Sequence, residues 1–173
     1  MVNIATPPPE DEVPWLSEDE TVAWVTLTAM LMHLPAAIDA QLKRDSGLNF
    51  FEYSILVSLS RPAEHAVQMS SLALLAGGSL SRLSHAVSRL EKQGWVRRKA
   101  ATGCTEAVLT DEGMAMLEKA APGHVREAHR LVIEPLTPAQ VRQMQRISRQ
   151  ILEAAAPEVG AAIDVVTTVI HDC

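Results

Sequence analysis

The chain has 173 residues, 47% of them hydrophobic and only 3% aromatic, with a formal net charge of −6. That length allows one domain, or one domain with helical extensions, and a core that needs no disulfide or metal to hold it. The two cysteines, Cys104 and Cys173, make no metal-type spacing and fit a reduced cytoplasmic setting, while no apolar run is expected to span a bilayer and no secretory signal is evident.

The first 16 residues, rich in proline and acids, read as a disordered tail. Ser17-Glu18-Asp19-Glu20 forms a capping box, opening a helix that runs to about Asp45 and stops at Gly47. Pro35 should kink it, because proline lacks a donor and crowds the preceding turn. Two apolar stripes run along this helix. One is Trp24, Leu27, Leu31, Leu34, Ile38 and Leu42; the other is Val22, Val25, Ala29, Met32, Ala36 and Ala40. A surface helix needs one stripe, so the second predicts a partner subunit; a central helix within a monomer is the alternative.

Asn49 to Glu52 opens a second helix with Tyr53, Ile55, Leu56 and Leu59 as its apolar face, closed by Arg61-Pro62. Ser70 is expected to cap a very short third helix. Gly77-Gly78 makes a turn, and Ser79 caps a fourth helix with a core stripe of Leu80, Leu83, Val87 and Leu90, closed by Gly94. Trp95 to Arg98 and Glu106 to Leu109 alternate as a hairpin around a loop containing Gly103. Thr110-Asp111-Glu112 starts a fifth helix, which Pro122-Gly123 should interrupt or bend. Thr137-Pro138-Ala139-Gln140 starts a sixth, with Val141, Met144, Ile147 and Ile151 on one side, and a last apolar helix follows Pro157.

Charge is concentrated. Ser79 to Lys99 carries Arg82, Arg89, Lys92, Arg97, Arg98 and Lys99 against the single acid Glu91, on a chain that is acidic elsewhere. A short helix, a glycine turn, a basic helix and a basic hairpin read as a winged helix-turn-helix that faces a polyanion, here DNA. The fold class is therefore mainly α with a small β-hairpin wing. It divides into the tail at 1–16, an N-terminal dimerisation helix at 17–47, the winged helix-turn-helix at 48–110 and C-terminal dimerisation helices at 111–173.

A recognition helix reads base edges from its N-terminal half. Its polar face offers Ser79, Ser81, Arg82, Ser84, His85, Ser88 and Arg89. Arg82 suits a bidentate contact to guanine, while Arg89 should meet phosphate or brace the fold. Ser70 and Ser71 can donate to phosphate at a helix N-terminus, and Arg97 and Arg98 lie at the wing base on opposite faces. The bland alternative is a solvated amphipathic helix, which the glycine turn and basic hairpin around it disfavour.

The ordered segments resemble the MarR family of bacterial transcriptional regulators over about Asp19 to Leu152. The resemblance rests on Leu90-Glu91-Lys92-Gln93-Gly94 entering the wing and Leu109-Thr110-Asp111-Glu112-Gly113 leaving it, with the Glu134–Pro138 phrase later. It implies a homodimer reading a pseudo-palindromic operator in double-stranded DNA, with repression as the expected outcome. It also implies a small-molecule effector, for which Trp24, Met30, His33 and Tyr53 are wall candidates, though the plain reading makes them core. The chain departs from the family at the wing, which is short and carries Cys104 where an arginine is expected, and at the third helix, which lacks charge.

No catalytic constellation and no cofactor motif is present: Ser84 and His85 are adjacent and cannot pair, and there is no Gly-x-Ser-x-Gly or phosphate loop. His124 and His129, five apart, fall on different sides of a helix, so no metal site is expected. The alternatives are a winged-helix protein–protein adaptor, and a regulator that responds to metal or to oxidation of Cys104.

Overall fold

A computed structural model describes residues 13–160. Most of the N-terminal tail and of the segment after Pro157, with His171 and Cys173, lies outside the described residues. Ten elements follow in order: helix α1 (Glu18–Ser46), α2 (Phe50–Ser60), strand β1 (Ala66–Gln68), α3 (Met69–Leu75), α4 (Leu80–Lys92), β2 (Val96–Ala101), β3 (Cys104–Leu109), α5 (Asp111–Ala128), a π-helical turn (His129–Ile133) and α6 (Pro138–Ala155).

The caps explain the boundaries. The Ser17 hydroxyl accepts from Glu20 N while the Glu20 carboxylate accepts from Ser17 N, so Ser17 opens α1 as expected. The Ser17 backbone N–H, and then its side chain, hold the Glu20 carboxyl below its usual range. Asn49 with Glu52 and Thr137 with Gln140 form the same reciprocal box on α2 and α6. Gly47 sits at φ +73° and ends α1.

The described residues form two compact units divided between Leu34 and Pro35. In the first, the N-terminal part of α1, Trp24 and Leu31 of one stripe and Val22, Val25 and Met32 of the other are exposed, as is Met30. In the second, Ile38, Gln41 and Leu42 of the same helix are buried. Helical structure runs through both Pro35 and Pro122 without a break. The 18 residues Thr21 to Ile38 contain no Asp, Glu, Lys or Arg, so α1 is long and apolar enough to cross a membrane by length and composition. That corrects the sequence expectation, which underweighted a stretch whose only breaks are threonines, His33 and Pro35.

The core of the second unit is built from Leu42, Leu48, Ile55, Leu56, Leu59, Leu72, Leu83, Val87 and Leu90, all essentially inaccessible. Ala86 completes the α4 stripe. Leu80, placed in it from the sequence, is instead 55% exposed, because it occupies the first helical position beyond the packed layer.

The sheet has three antiparallel strands in the order β1-β3-β2, not two. Ala66 pairs with Val108 and Val96 with Leu109, so β3 is central. β1 is only three residues long, too short for alternation to announce it. It also displaces the predicted cap of α3: Gln68 occupies the cap position without a side-chain bond, and Ser70 lies inside the first turn.

Two glycines permit close approach. A Cβ on Gly113 would stand 2.0 Å from the Trp95 carbonyl oxygen, so α5 can only start against the wing base with glycine there. Thr110 completes that joint: its hydroxyl accepts from Gly113 N at 3.0 Å and donates to the Gly94 carbonyl at 2.7 Å. A Cβ on Gly78 would lie 2.7 Å from the Phe51 ring, which fixes the turn before α4 against α2.

Candidate nucleic-acid interface

Helix α4 presents one buried and one open face, as its 3.6-residue period requires. Leu83, Ala86, Val87 and Leu90 point into the core. Ser79, Ser81, Arg82, His85 and Arg89 are exposed, and Ser84 and Ser88 are half-buried. The Ser79 hydroxyl accepts from Arg82 N at 3.2 Å and caps the helix. Ser70 and Ser71 are exposed in the first turn of α3.

The four site arginines have different surroundings. Arg82 lies over the Phe51 ring, 4.1 Å from its centroid. Arg89 donates from Nε to Glu52 Oε1 at 2.8 Å, and Glu52 is buried and also accepts from Asn49 N at 3.0 Å. This takes up the bracing alternative for Arg89: one carboxylate caps α2 and holds α4. Arg97 is exposed on β2. Arg98, on the opposite face, turns back onto α4. It pairs with Glu91, and its Nη2 donates to the Ser84 carbonyl at 2.9 Å and the Ser88 hydroxyl at 3.1 Å.

The hydroxyls of Ser84 and Ser88 are thus spent inside the protein. Ser88 donates to the Ser84 carbonyl at 3.0 Å and accepts from Arg98. Sequence reasoning found the arginines but not their partners Glu52, Glu91 and Phe51. The sequence marked Asn49 to Glu52 only as the start of a helix; the tertiary fold brings Arg89, 37 positions after Glu52, onto the carboxylate oxygen that the cap leaves over.

The wing is compact. β2 and β3 are joined by Thr102-Gly103, with Ala101 opposite Cys104 and Gly103 at φ +73°. Cys104 is a free, half-buried thiol beside that turn. Lys99 stands 4.0 Å from Glu106 across the hairpin.

The proposed ligand-wall residues separate. Trp24, Met30 and His33 lie on the first unit and are exposed, so the core reading fails for them. Tyr53 is core, 4.4 Å from the His124 ring by centroids, with its phenol pushed above the usual range by burial. Burial lowers the His124 pKa, and its Nδ1 has no hydrogen-bond partner among the described residues. Gln41 is buried with Oε1 unpaired among the described residues, while its Nε2 donates to Asp45 at 2.8 Å.

An open cleft of about 990 Å³ lies elsewhere, between the second half of α1, α2 and α4. Asp39, Lys43, Phe50, Phe51, Arg82 and His85 are among its walls. Lys43 at 2.6 Å, then the Phe50 backbone N–H at 2.9 Å, hold the Asp39 carboxyl below its usual range. Among the described residues no three His, Cys, Asp or Glu side chains gather as metal ligands.

This geometry has close counterparts. The structure of Sco3205, a MarR family transcriptional regulator from Streptomyces coelicolor in complex with DNA, is 39% identical, with a TM-score of 0.81 over 85% of this chain and 94% of that one. AbsC, a MarR family transcriptional regulator from the same organism, is 32% identical, with a TM-score of 0.77 over 83% of this chain and 98% of that one. The transcriptional repressor MprA of Escherichia coli is 25% identical over 141 residues, 78% of this chain and 80% of its own. No family model matches the chain. The likeness to Sco3205 and AbsC covers more than four fifths of this chain, and on it the chain belongs to the MarR family of transcriptional regulators.

Proposed function

We propose that the protein is a homodimeric, sequence-specific DNA-binding regulator that represses by covering a promoter. The observation that carries this reading is the row Ser81, Arg82 and His85, open on α4 beside the wing, on a helix whose opposite face is buried. Arg82 reads a base, with guanine O6 and N7 as its natural partners. Ser70, Ser71, Ser79 and Arg97 supply phosphate contacts that set register. Arg89 holds α4 to α2. Sco3205 is seen with DNA, which supports the same partner here.

The domain division that supports this reading has the winged helix-turn-helix between helical arms. Two features favour a second copy of the chain: exposed Val22 and Met32 on α1, and Ile147 and Ile151 on α6, each 46% exposed. Two copies would place two α4 helices about one DNA turn apart on a pseudo-palindrome. The protein acts by binding, not catalysis, and works in the cytoplasm, where its DNA is. The cleft walled by Arg82 favours a small-molecule effector, because an occupant there would move a base-reading side chain.

Selecting duplexes from a random pool with the full-length protein tests the reading. Recovery of a two-fold symmetric motif, bound with strong salt dependence, is expected. Recovery of none, with a protein partner captured instead, would favour the adaptor.

A further inference from the structure

By charge alone, Arg98 counts among the DNA-facing cations. Its surroundings argue otherwise. The side chain is 29% exposed and the Glu91 side chain 28% exposed, and the two form an ion pair. Glu91 Oε1 also accepts from Arg98 N at 2.9 Å, so one carboxylate takes both the backbone and the side chain of the same residue. Nη2 meets the Ser84 carbonyl, the Ser84 hydroxyl at 3.3 Å and the Ser88 hydroxyl. Every acceptor lies on α4, and Arg98 itself lies on β2, paired with Ala107 of β3.

We propose that Arg98 is a positioning residue: through Glu91, Ser84 and Ser88 it sets the angle of the wing on the recognition helix, and it makes no phosphate contact of its own. This rests on the DNA-binding reading and refines it. The guanidinium suits the task because its two terminal nitrogens diverge in a fixed plane and reach Glu91 and the serines together; a lysine has one nitrogen and cannot do so. The wing then presents Arg97 to the duplex from the opposite face of the strand.

The two roles predict opposite signs for one substitution. If Arg98 were a phosphate contact restrained by Glu91, Glu91→Gln would free a cation, remove an anion near DNA and tighten binding. If Arg98 positions the wing, Glu91→Gln weakens binding although it removes a negative charge. The probe is a duplex recovered by the wild-type protein from a random pool, titrated with full-length protein at several salt concentrations. We expect Glu91→Gln, and separately Ser84→Ala with Ser88→Ala, to weaken binding about tenfold, as loss of charge-assisted hydrogen bonds would. The salt slope should be the same for Arg98→Ala as for Glu91→Gln, because both act through the wing angle and neither removes a phosphate contact made by Arg98 itself.

Backbone amides of β2 and β3 should exchange faster in both variants without DNA, while those of α5 stay as in wild type. Arg98→Lys should behave like the Glu91 variant. Tighter or unchanged binding by Glu91→Gln, or a salt slope for Arg98→Ala lower than that of Glu91→Gln by about 0.9 per protomer, the value of one phosphate, overturns the assignment. A wild-type protein that recovers no duplex defeats the DNA reading itself, a different result from a Glu91 variant that tightens.

Discussion

The layer of α2, α3 and α4 and the helix α6 both carry apolar side chains, yet they dispose of them in opposite ways. In the first, Leu56, Leu59, Leu72, Leu83 and Leu90 are sealed from water. Its polar chains are bolted too, Arg89 to Glu52 and Arg98 to Glu91. In α6 no residue is buried, and Ile147 and Ile151 lie open, as do Val125 and Ile133 before it. The difference separates a core that the described residues close from apolar surface that they leave open. On the proposed function, a second copy covers that surface of the α6 arm.

The largest expected effect comes from breaking the arms. Ile147→Glu with Ile151→Glu should convert a dimeric mass to a monomeric one in light scattering. It should also lower affinity for a symmetric duplex by about 1,000-fold, toward non-specific strength. The lobe should stay folded, with an unchanged circular dichroism spectrum.

The lobe is broken at its own joint. Gly113→Ala forces a methyl group against the Trp95 carbonyl and should cost about 3 kcal/mol in urea unfolding, as overpacking against backbone does. Equal stability of this variant would show that the start of α5 does not depend on that close approach.

Within the interface, Arg82 and Arg97 should separate by kind of effect. Arg82→Ala should cost about 2 kcal/mol on the selected duplex and relax the preference at one base pair of each half-site. Arg97→Ala should weaken all sequences alike and reduce the salt slope by about 0.9 per protomer.

The smallest effect is a pH dependence. Burial disfavours the charged imidazolium of His124, so its folded pKa lies below the unfolded value of about 6.5. A depressed histidine stabilises the fold fully above the unfolded pKa, and that contribution is lost as pH falls toward the folded one, because the unfolded chain takes up the proton first. The urea midpoint should therefore decline below about pH 6.5, and His124→Phe should flatten that part of the curve.

Much of this contrast was legible in the residues. Ser79, Thr110 and Thr137 announce their helices because a cap is a local event, settled within four positions. Leu83, Val87 and Leu90 announce the core face of α4 through their spacing. The alternation of Arg97 and Arg98 correctly implied that they point apart.

What escaped depends on distant partners. Nothing in Ser84 or Ser88 says that each hydroxyl will meet an arginine from the next strand, or in Glu52 that it will take Arg89. The strand Ala66–Gln68 was invisible because three residues carry no period, and it exists only where β3 supplies the ladder. The π-helical turn at His129–Ile133, with Glu134 N bonded to the His129 carbonyl at 2.8 Å, leaves no distinctive residue pattern.

The most direct test of the account is the composition of the complex with DNA: the mass of the protein bound to its selected duplex, measured with the symmetry of that duplex. Two chains on one duplex, with inverted half-sites about one helical turn apart, is the predicted result. One chain per duplex, or a selected sequence without two-fold symmetry, would contradict it.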